Sequence, residues 1–476
     1  MKKIIKSLFA VVLCVLTTVS FVGCDKETWS KTTNDTTKVV SNGGTTIYHD
    51  GWLYFINGTK DVNEKNNTGK TVQAGIYRVE TDKNGNILYN EKTVTEKGEE
   101  KKVKEFKKVE PVVQSLTGFK NGSIHIFGDY LYYVTPSKAV NDEGDMLTGK
   151  LSFRRYDLIN KNSELLYTTK ASDDTVSYTY YKQNSDLYLL VYEKNKTQLK
   201  SFKMGDSVTC SFVQKDVKSV VFSNKFGETT GTNVTDCYIF YTLDAEENKE
   251  GNRVFRILPD GKGNQLISEN ESVSILTVEA GYLVYQKDTL TYAQKVDNAT
   301  NQLSFSNSNI VYYGEYENVI YLEEGNKLGA LIYDKGVIRK IVWDSEKTLQ
   351  ENVDNMQPIF NEYDSDDKVL FIGLDGDYLI YQLSNYIYKV KVLNIGVSDE
   401  IREIKLSTTK MDEAKDDSLI SLEIVNGYVY GMYTDTSAKV TYMYRIRIQT
   451  PREAGETDDD GKLKDVEAAE FIGVKE

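Results

Sequence analysis

The chemistry open to this chain is limited first by its histidines. The 476 residues include only two, His49 and His125, so a transition-metal centre built from several imidazoles is excluded. Neither lies in a catalytic motif, and the sequence has no Gly-x-Ser-x-Gly elbow, His-Glu-x-x-His pair or glycine-rich phosphate loop. We therefore expect structural roles for both histidines, assign no catalytic or metal-binding residue, and predict no cofactor.

Two acidic segments were compared with calcium sites. Segment 82–86 (Asp-Lys-Asn-Gly-Asn) lacks the alternating ligand spacing and the distal glutamate of a calcium loop, so we predict a hairpin turn there. Segment 364–367 (Asp-Ser-Asp-Asp) contains oxygen ligands suited to a hard cation, but acidic turns between strands are common. We favour a surface turn for this segment too.

The first 24 residues predict export and lipid attachment. Lys2, Lys3 and Lys6 precede an apolar run over 7–22, which is too short for an ordinary membrane span and has the form of a secretory signal. The run ends in 21–24 (Phe-Val-Gly-Cys), which resembles the lipobox of bacterial lipoproteins, with Phe21 where leucine is usual. The resemblance implies that residues 1–23 are removed and that Cys24 is acylated.

A diacylated Cys24 would hold the mature chain at the cell membrane on the extracytoplasmic side, because two acyl chains suffice for stable anchoring. Residues 24–43 are mostly polar and predict a flexible tether. With Cys14 removed and Cys24 acylated, Cys210 and Cys237 are the remaining cysteines, in strand-like segments 27 positions apart. A disulfide between them and two separate buried thiols both stay open.

The charge of the mature chain disfavours nucleic-acid binding. Removing three leader lysines from the 58 basic residues leaves 55 against 71 acidic ones, a net charge of −16. Such a chain repels phosphate backbones, and no basic stripe interleaved with aromatics is present. We expect the acidic excess to serve solubility.

A repeated pattern predicts an all-β fold. A short strand, a tight turn containing Gly, Asp or Asn, and a tyrosine-rich strand recur eight times, and a second strand pair follows each marker. The markers are 46–56, 124–134, 184–192, 236–241, 278–285, 316–322, 374–381 and 425–430.

The spacing of the markers predicts a β-propeller over residues 44–476. Their anchor aromatics recur on average about every 54 residues, which suits four-stranded blades. We predict eight blades, or seven with an irregular strand pair, and expect segment 469–474 to supply the last blade's fourth strand. The charged run 91–108 is predicted to be a solvated insertion. The anchors are Tyr54, Tyr132, Tyr188, Phe240, Tyr285, Tyr321, Tyr381 and Tyr430.

Strands such as 51–55 (Gly-Trp-Leu-Tyr-Phe) followed by 76–79 (Ile-Tyr-Arg-Val), or 377–381 followed by 387–390 (Ile-Tyr-Lys-Val), resemble a family of bacterial cell-surface lipoproteins. Those proteins carry an uncharacterised β-propeller, distantly like the propellers of low-density-lipoprotein receptor relatives. The receptor tetrad Tyr-Trp-Thr-Asp is absent from this chain. The resemblance, over about residues 44–448, implies a fold and a location but no catalytic residue.

These observations favour a lipid-anchored extracytoplasmic binding or interaction module for a protein or carbohydrate ligand. A propeller enzyme acting on glycans and a scaffold for envelope assembly are the alternatives. The 34 tyrosines allow two interpretations: rings packed between blades, or exposed rings that stack on sugars. The position of these rings on the fold separates the two.

Overall fold

The computed structural model is almost entirely β, with eight repeated antiparallel sheets, here called blades 1 to 8 in chain order. A short 3₁₀ helix, Lys194–Lys196, lies between two strands of blade 3. The described residues are 39–474 except 41–43, 59–73, 97–98, 120–121, 137–149, 171–174, 223–237, 280–281, 288–289, 297–301, 306–317, 324–326, 335–336, 343, 345, 348–350, 352–356, 359–368, 384–385, 396–401, 410–421, 436–439 and 459.

Each blade has four strands in consecutive spatial order. Blade 1 contains β2 (Thr46–His49), β3 (Trp52–Ile56), β4 (Ile76–Glu80) and β7 (Val109–Val113), and blade 2 contains β8 (Ile124–Phe127), β9 (Tyr130–Pro136), β10 (Leu151–Asp157) and β11 (Asn162–Thr168). Blade 3 contains β12 (Val176–Gln183), β13 (Asp186–Glu193), β14 (Gln198–Met204) and β15 (Thr209–Gln214), and blade 4 contains β16 (Ser219–Val221), β17 (Ile239–Asp244), β18 (Asn252–Ile257) and β19 (Gln265–Glu271).

Blade 5 contains β20 (Val273–Glu279), β21 (Tyr282–Lys287), β22 (Leu290–Lys295) and β23 (Gln302–Phe305), and blade 6 contains β24 (Asn318–Glu323), β25 (Lys327–Asp334), β26 (Val337–Val342) and β27 (Gln357–Pro358). Blade 7 contains β28 (Val369–Asp375), β29 (Tyr378–Leu383), β30 (Tyr386–Lys391) and β31 (Ile404–Lys405), and blade 8 contains β32 (Glu423–Val425), β33 (Tyr428–Asp435), β34 (Val440–Arg447) and β35 (Glu470–Phe471). Three further strands are β1 (Val39–Val40), β5 (Tyr89–Glu96) and β6 (Glu99–Phe106).

The second strand of a blade is buried on both faces because each sheet packs between two others. In β13, for example, every residue after the first is buried. The fourth strands are more exposed, and β11 is open to solvent over its first four residues. Aliphatic and tyrosine side chains of the inner strands therefore fill the spaces between blades, where their burial stabilises the ring.

The blades form a closed propeller around a central axis. First strands of neighbouring blades contact each other, as β2 and β8, β16 and β20, and β28 and β32 do, and β2 of blade 1 also contacts β32 of blade 8. Apart from β1, which pairs with blade 2, each sheet uses only strands of its own blade, so the ring closes by packing of blade 8 on blade 1 without a shared strand.

The ring has two unlike ends. First and second strands are joined at one end by tight turns such as Asp50-Gly51 and Asn426-Gly427, whose positive φ angles of 49°, 73°, 48° and 76° suit two-residue hairpins. We call this the turn end, which also carries the connections from third to fourth strands. The opposite end is called the loop end.

The short strand β1 lies on the axial side of blade 2. Val39 is opposite Phe127 and Val40 is opposite Ile126, antiparallel to β8. Because β8 runs from the loop end to the turn end, the chain enters β1 from the turn end. Two residues of the predicted tether thus pair with the inner edge of the ring.

The structure confirms the all-β propeller prediction and gives eight blades rather than seven. The C-terminal segment supplies the fourth strand of blade 8, where Phe471 is opposite Tyr444 and Glu470 is opposite Arg445. The charged run is an insertion between the third and fourth strands of blade 1, folded as the hairpin of β5 and β6.

One of the eight repeat markers is out of phase. Tyr321 lies in β24, the first strand of blade 6, whereas the other seven anchors lie in second strands. The error arises because first and second strands of this fold both bury one or more aromatic rings, so a tyrosine-rich strand does not reveal its position in the blade. This phase error explains why Tyr321 lies only 36 positions after Tyr285, whereas Tyr381 lies 60 positions after Tyr321.

Candidate functional site

A cation on the third strand recurs in five blades. Each basic group lies over the aromatic ring at the start of the second strand, 3.9–4.8 Å from its centroid, in the geometry of a cation–π contact. The pairs are Arg78 on Trp52, Arg155 on Tyr130, Arg256 on Tyr238, Lys389 on Tyr378 and Arg445 on Tyr428.

Four of these cations also donate a hydrogen bond to a backbone carbonyl of the next blade, always in the connection between its third and fourth strands. We call this contact the inter-blade latch. It joins blades at the turn end and gives a physical role to the Arg or Lys of the repeated third-strand motif. The bonds run from Arg155 to Gly205 (2.7 Å), from Arg256 to Val296, from Lys389 to Ile448 (2.9 Å) and from Arg445 to Gly85 (3.4 Å).

The interface between blades 8 and 1 is also bonded at its loop end. The Glu423 carboxylate accepts bonds from the backbone N–H and hydroxyl of Thr45, at 3.1 and 2.9 Å. Asn57 exchanges two bonds with the backbone of Val474, at 3.0 and 2.8 Å. These contacts join the two blades at the end opposite the Arg445 latch.

Segment 82–86 is a turn that contributes to the same interface. The Asp82 carboxylate accepts bonds from the backbone N–H groups of Asn84 and Asn86, each at 2.8 Å, as predicted for a hairpin turn. Blade 8 then bonds to this turn, because Asn426 donates to the Asn84 carbonyl and Tyr428 donates to the Asn86 side chain.

His125 is a buried structural residue. Its Nε2 lies 3.2 Å from the Ser123 hydroxyl, which is 2.7 Å from the Tyr178 hydroxyl, and its ring packs 4.7 Å from Tyr180. Burial lowers the pKa of His125 to about 3. An imidazole with that pKa is a poor general base at neutral pH, so the proximity of Ser123 does not make a catalytic pair.

His49 lies at the turn end of blade 1, with its Nε2 3.8 Å from the Asp50 carboxylate. Burial lowers the pKa of His49, and the negative charges of Asp50 and Asp129 oppose that shift. The neutral ring packs at the junction of blades 1 and 2.

A second buried cluster joins blades 2 and 3. Glu193, which is fully buried, accepts bonds from the Tyr167 hydroxyl at 2.5 Å and from the ammonium of Lys200, which also donates to Tyr167 at 2.9 Å. Burial alone would raise the pKa of Glu193, but these bonds outweigh it and lower the pKa. Because its members bond to one another, the cluster acts as a link between blades.

The cleft between blades 4 and 5 is different, because it holds an open cavity of about 280 Å³. Its mouth, at the loop end, carries Glu271 and Lys287, with Oε1 and Nζ 2.5 Å apart. Ser268 donates to the other Glu271 oxygen at 2.9 Å. The remaining lining residues are Val254, Ile267, Val273, Leu283, Tyr285, Tyr292 and Gln294.

Irregular backbone on both sides positions this cavity. The register shifts between β18 and β19 on either side of Val254, and between β20 and β21 after Ile275; such bulges redirect side chains. Gly251 has a φ of 90°, and a Cβ there would lie 2.5 Å from the Glu271 backbone. Asn252 bonds through its side chain to the backbone of Val273, which fixes the start of blade 5.

The mouth of the cavity is charged with both signs. The hydrogen bond from Lys287 lowers the pKa of Glu271, which keeps that side chain ionised. Behind this pair, the rings of Tyr285 and Tyr292 stack with centroids 5.3 Å apart. The cleft therefore combines a carboxylate, an ammonium and a small concave space, so that a few polar groups converge as they do in small-ligand sites.

The tyrosines pack between blades. Of the tyrosine side chains whose burial the structure describes, each is buried or half-buried, and none is exposed. Tyr54, Tyr180, Tyr241, Tyr381 and Tyr430 are among the largest fully buried side chains. This favours packing over sugar stacking for the described rings.

Several predicted sites lie outside the described residues: Cys24, Cys237 and segment 364–367. Cys210 is exposed on β15, so the alternative of two buried thiols is wrong for this residue, whereas the possible disulfide with Cys237 stays open. Within the described ranges, no three His, Cys, Asp or Glu side chains converge as metal ligands. No described helix has the length and hydrophobicity needed to cross a membrane.

No family model and no curated protein matches the chain. Among solved structures, dipeptidyl peptidase 4 from Porphyromonas gingivalis aligns with 92% of this chain and 60% of its own, at 9% identity and a TM-score of 0.43. Oligogalacturonate lyase from Vibrio parahaemolyticus aligns with 86% of this chain and 98% of its own, at 9% identity and a TM-score of 0.39.

The β-propeller domain of the trilobed protease from Pyrococcus furiosus aligns over 67% of this chain and 90% of its own, at 9% identity and a TM-score of 0.36. Similarity at this level carries no argument about activity. The propeller fold rests on the strand order and on the contacts between first strands.

The sequence did not predict the cleft between blades 4 and 5. Glu271 and Lys287 belong to different blades and are 16 positions apart, in a chain where charged residues are common. The one local signal is the very short link between blades, since only Ser272 separates β19 from β20. That link brings Glu271 and Val273 to the same rim.

Proposed function

We propose that this protein is a lipid-anchored, extracytoplasmic binding protein whose propeller takes a small ligand in the cleft between blades 4 and 5. The observation that supports this most is the cavity itself, which carries an ionised carboxylate and an ammonium at its mouth. The other titratable clusters described above bond internally or are buried between blades. The lipobox-like segment ending in Cys24 supports the anchor.

The path of β1 supports an orientation on the membrane. The chain enters β1 from the turn end, and 14 residues separate Cys24 from Val39, enough to span at most about 50 Å when fully extended. A lipid on Cys24 therefore leaves from the turn end. In this arrangement the turn end faces the bilayer and the loop end, with the mouth of the cavity, faces away from it.

Binding is tested with the full-length protein purified in detergent. A panel of amino acids, short peptides, sugars and nucleosides is screened by thermal unfolding, and we expect at least one class to raise the melting temperature. Ser268→Trp, which fills the mouth, should abolish that rise, whereas the control Glu269→Trp, at an exposed neighbouring position that does not line the cavity, should keep it. No stabilisation by any class, or stabilisation that survives in Ser268→Trp, would contradict a ligand site here.

The anchor is tested by cell fractionation. Wild-type protein should sediment with membranes, and Cys24→Ser should be released, because the signal alone provides no lasting attachment. Cys210→Ser is the matched control and should stay with the membrane. Retention of Cys24→Ser would rule out lipid anchoring at this residue.

The orientation is tested by labelling with a bulky maleimide in a Cys210→Ser, Cys237→Ser background. Lys262→Cys lies at the turn end and Lys196→Cys at the loop end, and both positions are exposed. On membranes, labelling should be several-fold slower at the turn end than at the loop end, and detergent should equalise the two rates. Equal rates on membranes would contradict the orientation.

A further inference from the structure

The mouth of the cleft between blades 4 and 5 presents two opposite charges to one ligand. Glu271 and Lys287 are partly exposed, at 41% and 35% of their side chains, so opening their ion pair costs little. A ligand with a single charge would satisfy one partner and leave the other without its counter-ion. A ligand with an ammonium and a carboxylate close together would satisfy both through charge-assisted hydrogen bonds.

The Glu271 carboxylate is held in place for such a contact. The Ser268 hydroxyl bonds to Oε2, and Oε1 faces Lys287. Asn252 fixes the adjoining start of blade 5 through two bonds to Val273. The acceptor is therefore positioned before a ligand arrives, which reduces the ordering that binding requires.

The space behind the charges is bounded mainly by polar atoms, because the side chains of Val254, Val273 and Leu283 are almost fully buried and expose little apolar surface to it. The volume of about 280 Å³ lies just below the usual range of about 300–1,000 Å³ for small-molecule sites. It fits a single amino acid better than a longer peptide or an oligosaccharide.

We propose that this cleft binds a free α-amino acid, its ammonium on Glu271 and its carboxylate on Lys287. The ligand joins the existing ion pair as a four-group network. This inference rests on the proposed function and specifies its ligand class.

Isothermal titration of the full-length protein in detergent tests the two charge contacts separately. L-Leucine should bind, whereas leucinamide, which lacks the carboxylate, and N-acetyl-leucine, which lacks the ammonium, should each bind at least tenfold more weakly. Leucinamide binding as tightly as leucine would indicate recognition of a peptide N-terminus and would overturn the proposal.

Variants assign each contact. Lys287→Met should weaken the binding of leucine at least tenfold and leave the residual binding of leucinamide unchanged. Glu271→Gln should also weaken the binding of leucine at least tenfold, and it should leave the residual binding of N-acetyl-leucine unchanged. Lys218→Met removes the comparable exposed pair with Asp244 on blade 4 and is the matched control, with no expected change. Equal losses for leucine and leucinamide in Lys287→Met would overturn the assignment.

The outcomes also separate this inference from the function on which it rests. If sugars or nucleosides stabilise the protein through the cleft and leucine does not bind, the amino-acid inference fails while the binding function stands. If no solute binds in the cleft, both fail.

Discussion

The interface between blades 8 and 1 and the one between blades 4 and 5 use the same latch but differ above it. Arg445 and Arg256 each stack on a tyrosine and donate to a carbonyl of the next blade. At the loop end, blades 8 and 1 are joined by hydrogen bonds such as that from Thr45 to Glu423, whereas blades 4 and 5 leave a cavity there. The repeat thus fixes the turn end of the latched interfaces and leaves the loop end free to differ.

Removing the two latches should have unequal effects, and this is the largest difference we expect. Arg445 is 4% exposed and pairs with Glu470, so Arg445→Met removes the counter-ion of a half-buried carboxylate, which keeps its hydrogen bond from the Tyr89 hydroxyl, and should cost about 2–3 kcal/mol in the free energy of unfolding. Arg256→Met breaks bonds to neutral acceptors and should cost about 1 kcal/mol. Chemical denaturation measures both, and equal losses would remove the distinction between the interfaces.

The interface between blades 2 and 3 extends the comparison through pH. The pKa of His125 is about 3 in the folded protein and about 6.5 when unfolded, so only the unfolded chain binds the proton between these values. The contribution of neutral His125 to the free energy of unfolding is therefore complete at pH 8 and decreases as the pH falls below 6.5. At pH 5 the free energy of unfolding should be lower by about 2 kcal/mol for this reason.

The measurement is the difference in unfolding free energy between pH 8 and pH 5 for wild type and His125→Gln. The variant should lack that loss, while other titrating groups contribute equally to both proteins. An identical pH dependence would show that His125 is not buried in its neutral form.

The same substitution at the loop ends of the two interfaces should give a smaller contrast. Glu423→Ala leaves buried Thr45 without its acceptor and should cost about 1–2 kcal/mol. Glu271→Ala removes a partly exposed ion pair and should cost less than about 1 kcal/mol. Thermal unfolding of the two variants compares them, and a larger loss for Glu271→Ala would mean that the open cleft is also an important structural contact.

The fold was accessible from sequence because each blade repeats the same physical requirement. Tight turns and strands with buried tyrosines recur, so the ring of eight blades and the C-terminal strand with Phe471 could be predicted. The marker at Tyr321 failed because an aromatic strand has no mark of its order within a blade. The latches could not be predicted in full, because the partner of each cation is a backbone carbonyl, which no residue type identifies.

The candidate site was less accessible for a similar reason. The side chains of the cleft come from five strands of two blades, and bulges near Val254 and Ile275 set their directions. Alternation along a strand predicts which residues are buried, but it does not predict where a register shift opens a cavity. Glu271 and Lys287 are also ordinary members of a chain with 27% charged residues.

Closure of the ring without a shared strand has a consequence for how the chain folds. Between other blades the partners are neighbours in sequence, but the bonds joining blade 8 to blade 1 span 342 to 417 residues. Blades can therefore form and stack in sequence order as a linear array, as in repeat proteins, while the last contact carries the entropy of closing a long loop. We expect blade 8 to dock last, so an emerging chain remains an open arc until the segment around Glu470 is available.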